Sequence, residues 1–243
     1  MRRVQLQPAY VLHHRSYRDT SRILELFTPD HGRVSVFARG ARGGTGRNAS
    51  LMSMLQPFNR LLVSWSAGAE AGTLSAAEFA GTYAVLPADR VVSGCYLNEL
   101  LLTLLTRHDP HADVFELYSR SIDLLKTQPD PLPVLRLFEK RLLEALGYGL
   151  ALTHDAATGL SIDPDRAYHY RLEQGAVMTH GIAEGALVFQ GASLLALARE
   201  QLHDVAELQD ARRLLRAALD RLLEGRELKS RQVMMALRKK SDA

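Results

Sequence analysis

Arginine is the residue type through which this chain can act on something else. The stretch Gly32 to Asn48, GRVSVFARGARGGTGRN, carries Arg33, Arg39, Arg42 and Arg47, and four glycines share the nine residues from Arg39 to Arg47. A Gly/Arg run buries too little apolar surface to offset its ordering entropy, so its guanidinium groups are free to reach a polyanion. Arg15 and Arg18 flank Tyr17 earlier in the chain, and Lys229 and Arg231 lie in a basic segment near its end. Cations of this kind neutralise phosphates with release of counterions, which gives an affinity that falls steeply with salt and carries little sequence information. An aromatic ring such as Tyr17, Phe37 or Trp65 can add base stacking worth ~1–3 kcal/mol. Phe37 and Trp65 sit in strand-like runs, where core packing is the ordinary use; Tyr17, in a turn between basic residues, is the better stacking candidate. The competing reading of the arginine loop is a solvated hairpin connection that only aids solubility.

Groupings that would support catalysis are missing. No P-loop or Rossmann spacing occurs, and Gly40, Gly43, Gly44 and Gly46 do not follow a phosphate-cradle pattern. Ser121 and Ser193 lack a nucleophile-elbow context. His108 with His111, and His154 with Asp155, lack a strong third metal ligand, while Asp163 and Asp165 around Pro164 read as a capped turn. The expectation is a protein without enzymatic activity, cofactor or metal.

The elements that must position the arginines follow from periodicity. Residues 1–80 read as all-β: Ala9–His14, Ser21–Thr28, Arg33–Arg39, Pro57–Trp65 and Gly72–Phe79, with Pro29-Asp30-His31-Gly32 as a tight turn. Five short strands with one long basic loop fit an OB-type barrel, and an SH3-like barrel fits nearly as well. From Pro87 the period changes to 3.6, giving helices over Asp89–Arg107, Val114–Lys126 and Leu132–Leu146, the last capped by Gly147. Residues 148–190 look irregular, with short strand candidates at Ala167–Arg171 and Leu187–Gln190 and no visible staple. Helices return at Ala192–Arg199 and Asp210–Leu223. The fold class is therefore α+β: a barrel over 1–80, helices over 81–147, an irregular insert over 148–190, and a second helical part with a basic tail over 191–243.

Composition points the same way. Residues 1–70 hold ten arginines against four acids, whereas the remaining 173 residues hold 20 basic and 23 acidic side chains. A basic front, a near-neutral middle and a basic tail favour nucleic acid over an acidic metabolite or a lipid surface. No apolar run is long enough to span a bilayer, no secretory signal follows Arg2 and Arg3, and a single cysteine, Cys95, makes a reducing cytoplasm the natural compartment.

Nine fragments in order carry a resemblance: Ala9–His13, Tyr17–Ser21, Phe27-Thr28 with Gly32-Arg33-Val34, Ala38–Arg42, Leu55–Phe58, Tyr96–Leu101, Leu135–Glu139, Leu146–Gly149 and Leu228–Arg231. Through them the chain resembles the RecO family of bacterial DNA-repair and recombination mediators over nearly its whole length. The resemblance implies an OB-fold, then a helical bundle, then in many members a four-cysteine zinc element after the Gly-Tyr-Gly segment. This chain departs there, having no cysteine beyond Cys95. It also implies binding of single- and double-stranded DNA at the nucleoid, annealing of complementary strands, binding of the acidic C-terminal tail of single-stranded-DNA-binding protein (SSB), and loading of RecA together with RecR. On that reading Arg136, Lys140 and Arg141 are the candidates for the SSB tail, with an ordinary helix-surface pair between Arg136 and Glu139 as the alternative. Other functions compatible with the residues are an RNA-binding OB protein, a pure protein scaffold and, more distantly, a nuclease using Asp163 and Asp165.

Overall fold

The alternation of buried and exposed residues in the first eighty positions closes a five-stranded barrel. In the computed structural model, which describes residues 3–17, 21–39, 47–66, 68, 71–81, 85–179 and 187–241 (side chains at 47–50 and 238–241 excepted), the strands are β1 (Arg3–Tyr17), β2 (Ser21–Thr28), β3 (Gly32–Ala38), β4 (Arg60–Ser66) and β5 (Gly72–Phe79). They join in the order β1-β2-β3-β5-β4, and β4 returns to β1. All pairs are antiparallel except β3 with β5. This Greek-key closure, with helix α1 (Arg47–Met54) between β3 and β4, is the OB arrangement and removes the SH3-like alternative.

β1 is longer than its apolar run suggests because it serves two neighbours. Its first half pairs with β4 and its second half with β2, with register breaks between Val4 and Gln7 and between Val11 and His13. Such bulges bend a strand and raise its twist, which is what closure of a small barrel needs. Inward-facing Val11, Leu24, Leu26, Val34, Val36, Leu61, Val63 and Trp65 fill the interior, and Leu55 with Leu51 and Met54 packs against them. The β2–β3 hairpin turns at Gly32, whose φ is +60°. A Cβ there would also fall 2.0 Å from the Asp109 carbonyl oxygen, so the position admits only glycine.

Two helices cover the outside of the barrel. After a short 3-10 turn at Ala88–Arg90 come α2 (Val91–Leu104) and α3 (Ala112–Thr127). Tyr10 and Phe27 of the sheet meet Phe115 and Tyr118 of α3, with ring centroids 4.9–6.3 Å apart. The polar atoms in this apolar layer are paired. Tyr10 shares a 2.9 Å hydrogen bond with Ser119, Tyr118 donates to Asn98 Oδ1, and Asn98 Nδ2 donates 2.8 Å to the Leu12 carbonyl at the β1 bulge.

The chain forms two compact units, one of Met1–Gln128 with Leu228–Ala243 and one of Pro129–Glu227. This division differs from a cut by composition at 80, 147 and 190, because α2 and α3 pack on the barrel. The second unit contains α4 (Leu132–Ala145), the strands β6 (Ala167–Arg171), β7 (Gly175–Met178) and β8 (Val188–Gln190), then α5 (Gly191–Arg199) and α6 (Val205–Leu222). The helix α7 (Lys229–Ser241) belongs to the first unit. Among the described residues no helix is long and apolar enough to cross a membrane.

The described residues of segment 148–190 hold more regular structure than its composition predicts. β6 sits between β7 and β8 in an antiparallel sheet. Its staple is Asp155, buried at 3% exposure, whose carboxylate accepts from the amides of Ala157, Thr158 and Met178 at 2.7–2.9 Å. The Met178 bond is the largest cause holding this carboxyl below its ordinary value of 3.8, and the other two amides add to it.

Candidate nucleic-acid interface

The register of the barrel sorts its residues into an inner and an outer set. Arg15 lies opposite Ile23, which lies opposite Phe37, and all three point outward because their neighbours Leu24 and Val36 point into the core. Tyr17, two residues beyond Arg15, shares that face and is 37% exposed. Its ring stands 5.1 Å from the half-buried Phe37 ring at 51°. Arg15 and Arg39 are exposed at the two edges of this patch. The result is an aromatic pair between two cations on the open face of an OB barrel, which is the pattern used to stack bases while holding phosphates. Trp65 takes the other course: at 4% exposure it belongs to the core.

Alternation places Phe37 in a strand, and among the described residues its ring lies half-buried on the outer face beside Tyr17. Arg18 and Arg42 lie outside the described residues, and Arg47 is described only as the first residue of α1.

Arg33 does not join the patch. It is 9% exposed, and its Nη1 donates to the carbonyls of Leu102 and Leu105 at the end of α2. Glu25, 3.8 Å from its Nη2, also receives Arg107 at 2.7 Å and Ser35. Burial pulls the Arg33 pKa down and Glu25 opposes it. The expected phosphate contact is therefore corrected to a structural one: this arginine ties β3 to the end of α2.

Lys229 and Arg231 are also part of a joint. The Glu99 carboxylate on α2 accepts from the backbone amides of Lys229 and Ser230, each at 2.9 Å, and from the Ser230 hydroxyl. Arg231 sits 5.7 Å above the Tyr96 ring. Glu99 thus caps α7 from another helix, satisfying amides that its own first turn cannot. The Lys229 side chain remains exposed.

Residues 1–83 match the family model "Recombination protein O N terminal" and residues 88–232 match "Recombination protein O C terminal". The chain belongs to the RecO family. It is 43% identical to a DNA repair protein RecO of Nitrosococcus oceani, over 98% of this chain and 95% of the relative. A RecO of Methylococcus capsulatus is 44% identical over 95% and 93%, and one of Coxiella burnetii 40% identical over 96% and 99%.

In this RecO-family chain the cations of α4 are already engaged. Arg136, 8% exposed, pairs with buried Glu139 at 2.7 Å. Lys140 lies 2.9 Å from Glu144 and 3.0 Å from Glu200, and Arg141 makes a two-pronged bond to Glu200 at 2.9 and 2.6 Å. Burial works to raise the Glu200 carboxyl, and the bonds from Arg141 and Lys140 outweigh it, so its pKa lies below 4.5. Glu200 itself is a C-cap in the left-handed region, with φ +60°.

The zinc element that the resemblance brings to mind does not suit this sequence, because segment 148–190 supplies none of the four thiolates. Among the described residues no group of three His, Cys, Asp or Glu stands together. Asp155 organises the segment through backbone amides instead.

Proposed function

We propose that this protein is a non-enzymatic mediator of DNA repair and recombination: it binds single- and double-stranded DNA, anneals complementary strands and, with RecR, helps load RecA onto SSB-coated DNA. The observation that carries this reading is the outward Arg15–Tyr17–Phe37–Arg39 patch on an OB barrel in a RecO-family chain. Annealing brings together two mutually repelling strands, and a cationic surface that exchanges for their counterions lowers that repulsion. Arg18, Arg42 and Arg47 extend the proposed contact set, and the exposed Lys229 side chain adds to it from α7. Arg33 leaves the set because its donors serve the fold.

The test is the salt dependence of binding to a single-stranded oligonucleotide. Replacing Arg15, Arg39 and Arg42 together by Ala flattens the slope of log K against log salt by about two units, at ~0.7 per phosphate contact on a single strand. An unchanged slope and affinity removes this face as the contact surface. Equal preference for matched RNA would turn the reading toward an RNA-binding protein.

For the SSB tail, the proposed receptor is the α4 face of Lys140 and Arg141, with Arg136 behind it. The two-pronged Arg141–Glu200 bond supports it: the geometry that holds one internal carboxylate is the geometry that a tail carboxylate requires.

A further inference from the structure

We propose that the cleft between β1, α2 and α7 is a cup for an unstacked nucleobase on a strand that runs along the outer face of β1. The proposal rests on the DNA-binding reading above and adds a base site to what was there a charged and stacking patch.

The cleft is about 540 Å³, with walls of Leu12, Pro57, Val92, Cys95, Leu102 and Val233. His13, His14 and Lys229 complete its lining on the polar side. The other three polar residues there, Asn98, Glu99 and Ser230, are committed elsewhere. Asn98 bonds the Leu12 carbonyl and Tyr118, and Glu99 bonds the first turn of α7. A ligand would meet an apolar interior with a cation and two imidazoles beside it. An extended peptide in such a place leaves its backbone donors and acceptors unpaired, whereas the faces of a base ask only for apolar or aromatic surface.

The path to the cup is written in β1. Its outward residues are His13, Arg15 and Tyr17, which follow one another at ~6.6 Å for each two-residue step. His13 borders the cleft, and Arg15 and Tyr17 belong to the patch described above. The register break between Val11 and His13 brings Leu12 and His13, adjacent residues, onto the same cleft. Bulges are a common means of re-aiming a side chain beside a site. The rings of His13 and His14 lie 6.4 Å apart at 29°, close to parallel. Burial, and then Arg22, hold the His14 pKa below 6.5, so its ring is neutral at ordinary pH and suited to stacking. Glu25, opposite His13 on this face, is paired with Arg33 and Arg107.

Cys95 makes the test direct, since it is the chain's one cysteine, is exposed, and forms part of the wall. The rate of its alkylation by a neutral maleimide is measured on the full-length protein alone, saturated with a single-stranded oligonucleotide, and saturated with the same backbone carrying abasic sites. The base-bearing strand slows the reaction roughly tenfold and the abasic strand changes it by less than about twofold, as expected if a stacked base fills the cleft. Equal slowing by both strands overturns the proposal, because backbone coverage would then suffice; no slowing by either saturated strand overturns it as well. Slowing that grows with protein concentration in the absence of DNA would mean that a second copy fills the cleft. Absence of DNA affinity even at low salt defeats the DNA-binding reading itself.

A variant supplies a second readout. Val233 is 46% exposed on α7, so Val233→Trp fills the cup without opening the core. It lowers affinity for the base-bearing strand roughly tenfold, the loss of one stacked base, and leaves the abasic strand unaffected. Unchanged affinity for both strands sinks the proposal.

Discussion

Arg15 and Arg33 are strand arginines of the same outer face, and their surroundings give them different work. Arg15 is exposed at the open end of the sheet, while Arg33 meets the carbonyls that terminate α2. Arg33→Ala therefore acts on stability. It leaves the Leu102 and Leu105 carbonyls without their donor and Glu25 with Arg107 and Ser35 alone, at a cost on the order of 3–5 kcal/mol, with the salt slope of DNA binding unaltered in the folded protein. Urea denaturation read beside a binding titration separates the two effects; a flattened slope with unchanged stability would return Arg33 to the DNA surface. Asp155 has a pH signature. Its folded pKa lies below 3.8, so its contribution is fully present above that value and is lost as pH falls through the folded pKa. In acid the amides of Ala157, Thr158 and Met178 lose protection from hydrogen exchange, and Asp155→Asn removes that acid-dependent step. Exchange of these amides that ignores pH in the native protein would contradict the staple.

Helix α7 shows at the level of elements what a single sequence withholds. Glu99 reads as an ordinary α2 residue, and the acceptors for the amides of Lys229 and Ser230 stand 130 residues before them. Glu99→Ala uncaps α7 at a cost of ~1 kcal/mol and exposes amides 229–232 to faster exchange while the barrel amides stay protected. Unchanged exchange there would mean that α7 is held by Tyr96 and its apolar contacts alone. The strands β2, β5 and β6 were legible to the residue, because alternation is a local signal bounded by turn residues. α1 was missed: RNASLMSM follows a glycine run, is only eight residues long, and has no full apolar period. β7 was missed because four residues, GAVM, carry no alternation. The start of α6 was set too late at Asp210, although Asp204 and Glu207 form a capping box that the sequence announces. The exposed patch was half legible. Tyr17 and the arginines stand out by type, but the tie between Arg33 and the end of α2 depends on residues some seventy positions apart.

For the whole molecule, the two proposed binding faces belong to different compact units, the DNA patch on the barrel and the tail receptor on α4. Their energetics should therefore be separable, as expected of substitutions that share no partners. Glu200 is the informative residue. It occupies Lys140 and Arg141 as a tail carboxylate would, and an incoming acidic tail must displace it or share with it. Because Arg141 is half exposed and Glu200 partly so, solvent screening keeps this internal pair weak. Glu200→Ala frees Arg141, leaves Lys140 with Glu144 alone, and strengthens binding of an SSB tail peptide by roughly two- to fivefold, the worth of one partly exposed charge pair. Arg141→Ala weakens the same peptide, and neither substitution alters the salt slope for bare DNA. Conversely, the Arg15/Arg39/Arg42 variant leaves peptide affinity unchanged. Calorimetry with the peptide and fluorescence titration with an oligonucleotide give the peptide affinity and the salt slope of each variant. If Glu200→Ala leaves the peptide affinity where it was or lowers it, the α4 cations serve only the fold of their own unit, and the tail receptor has to be sought on another surface.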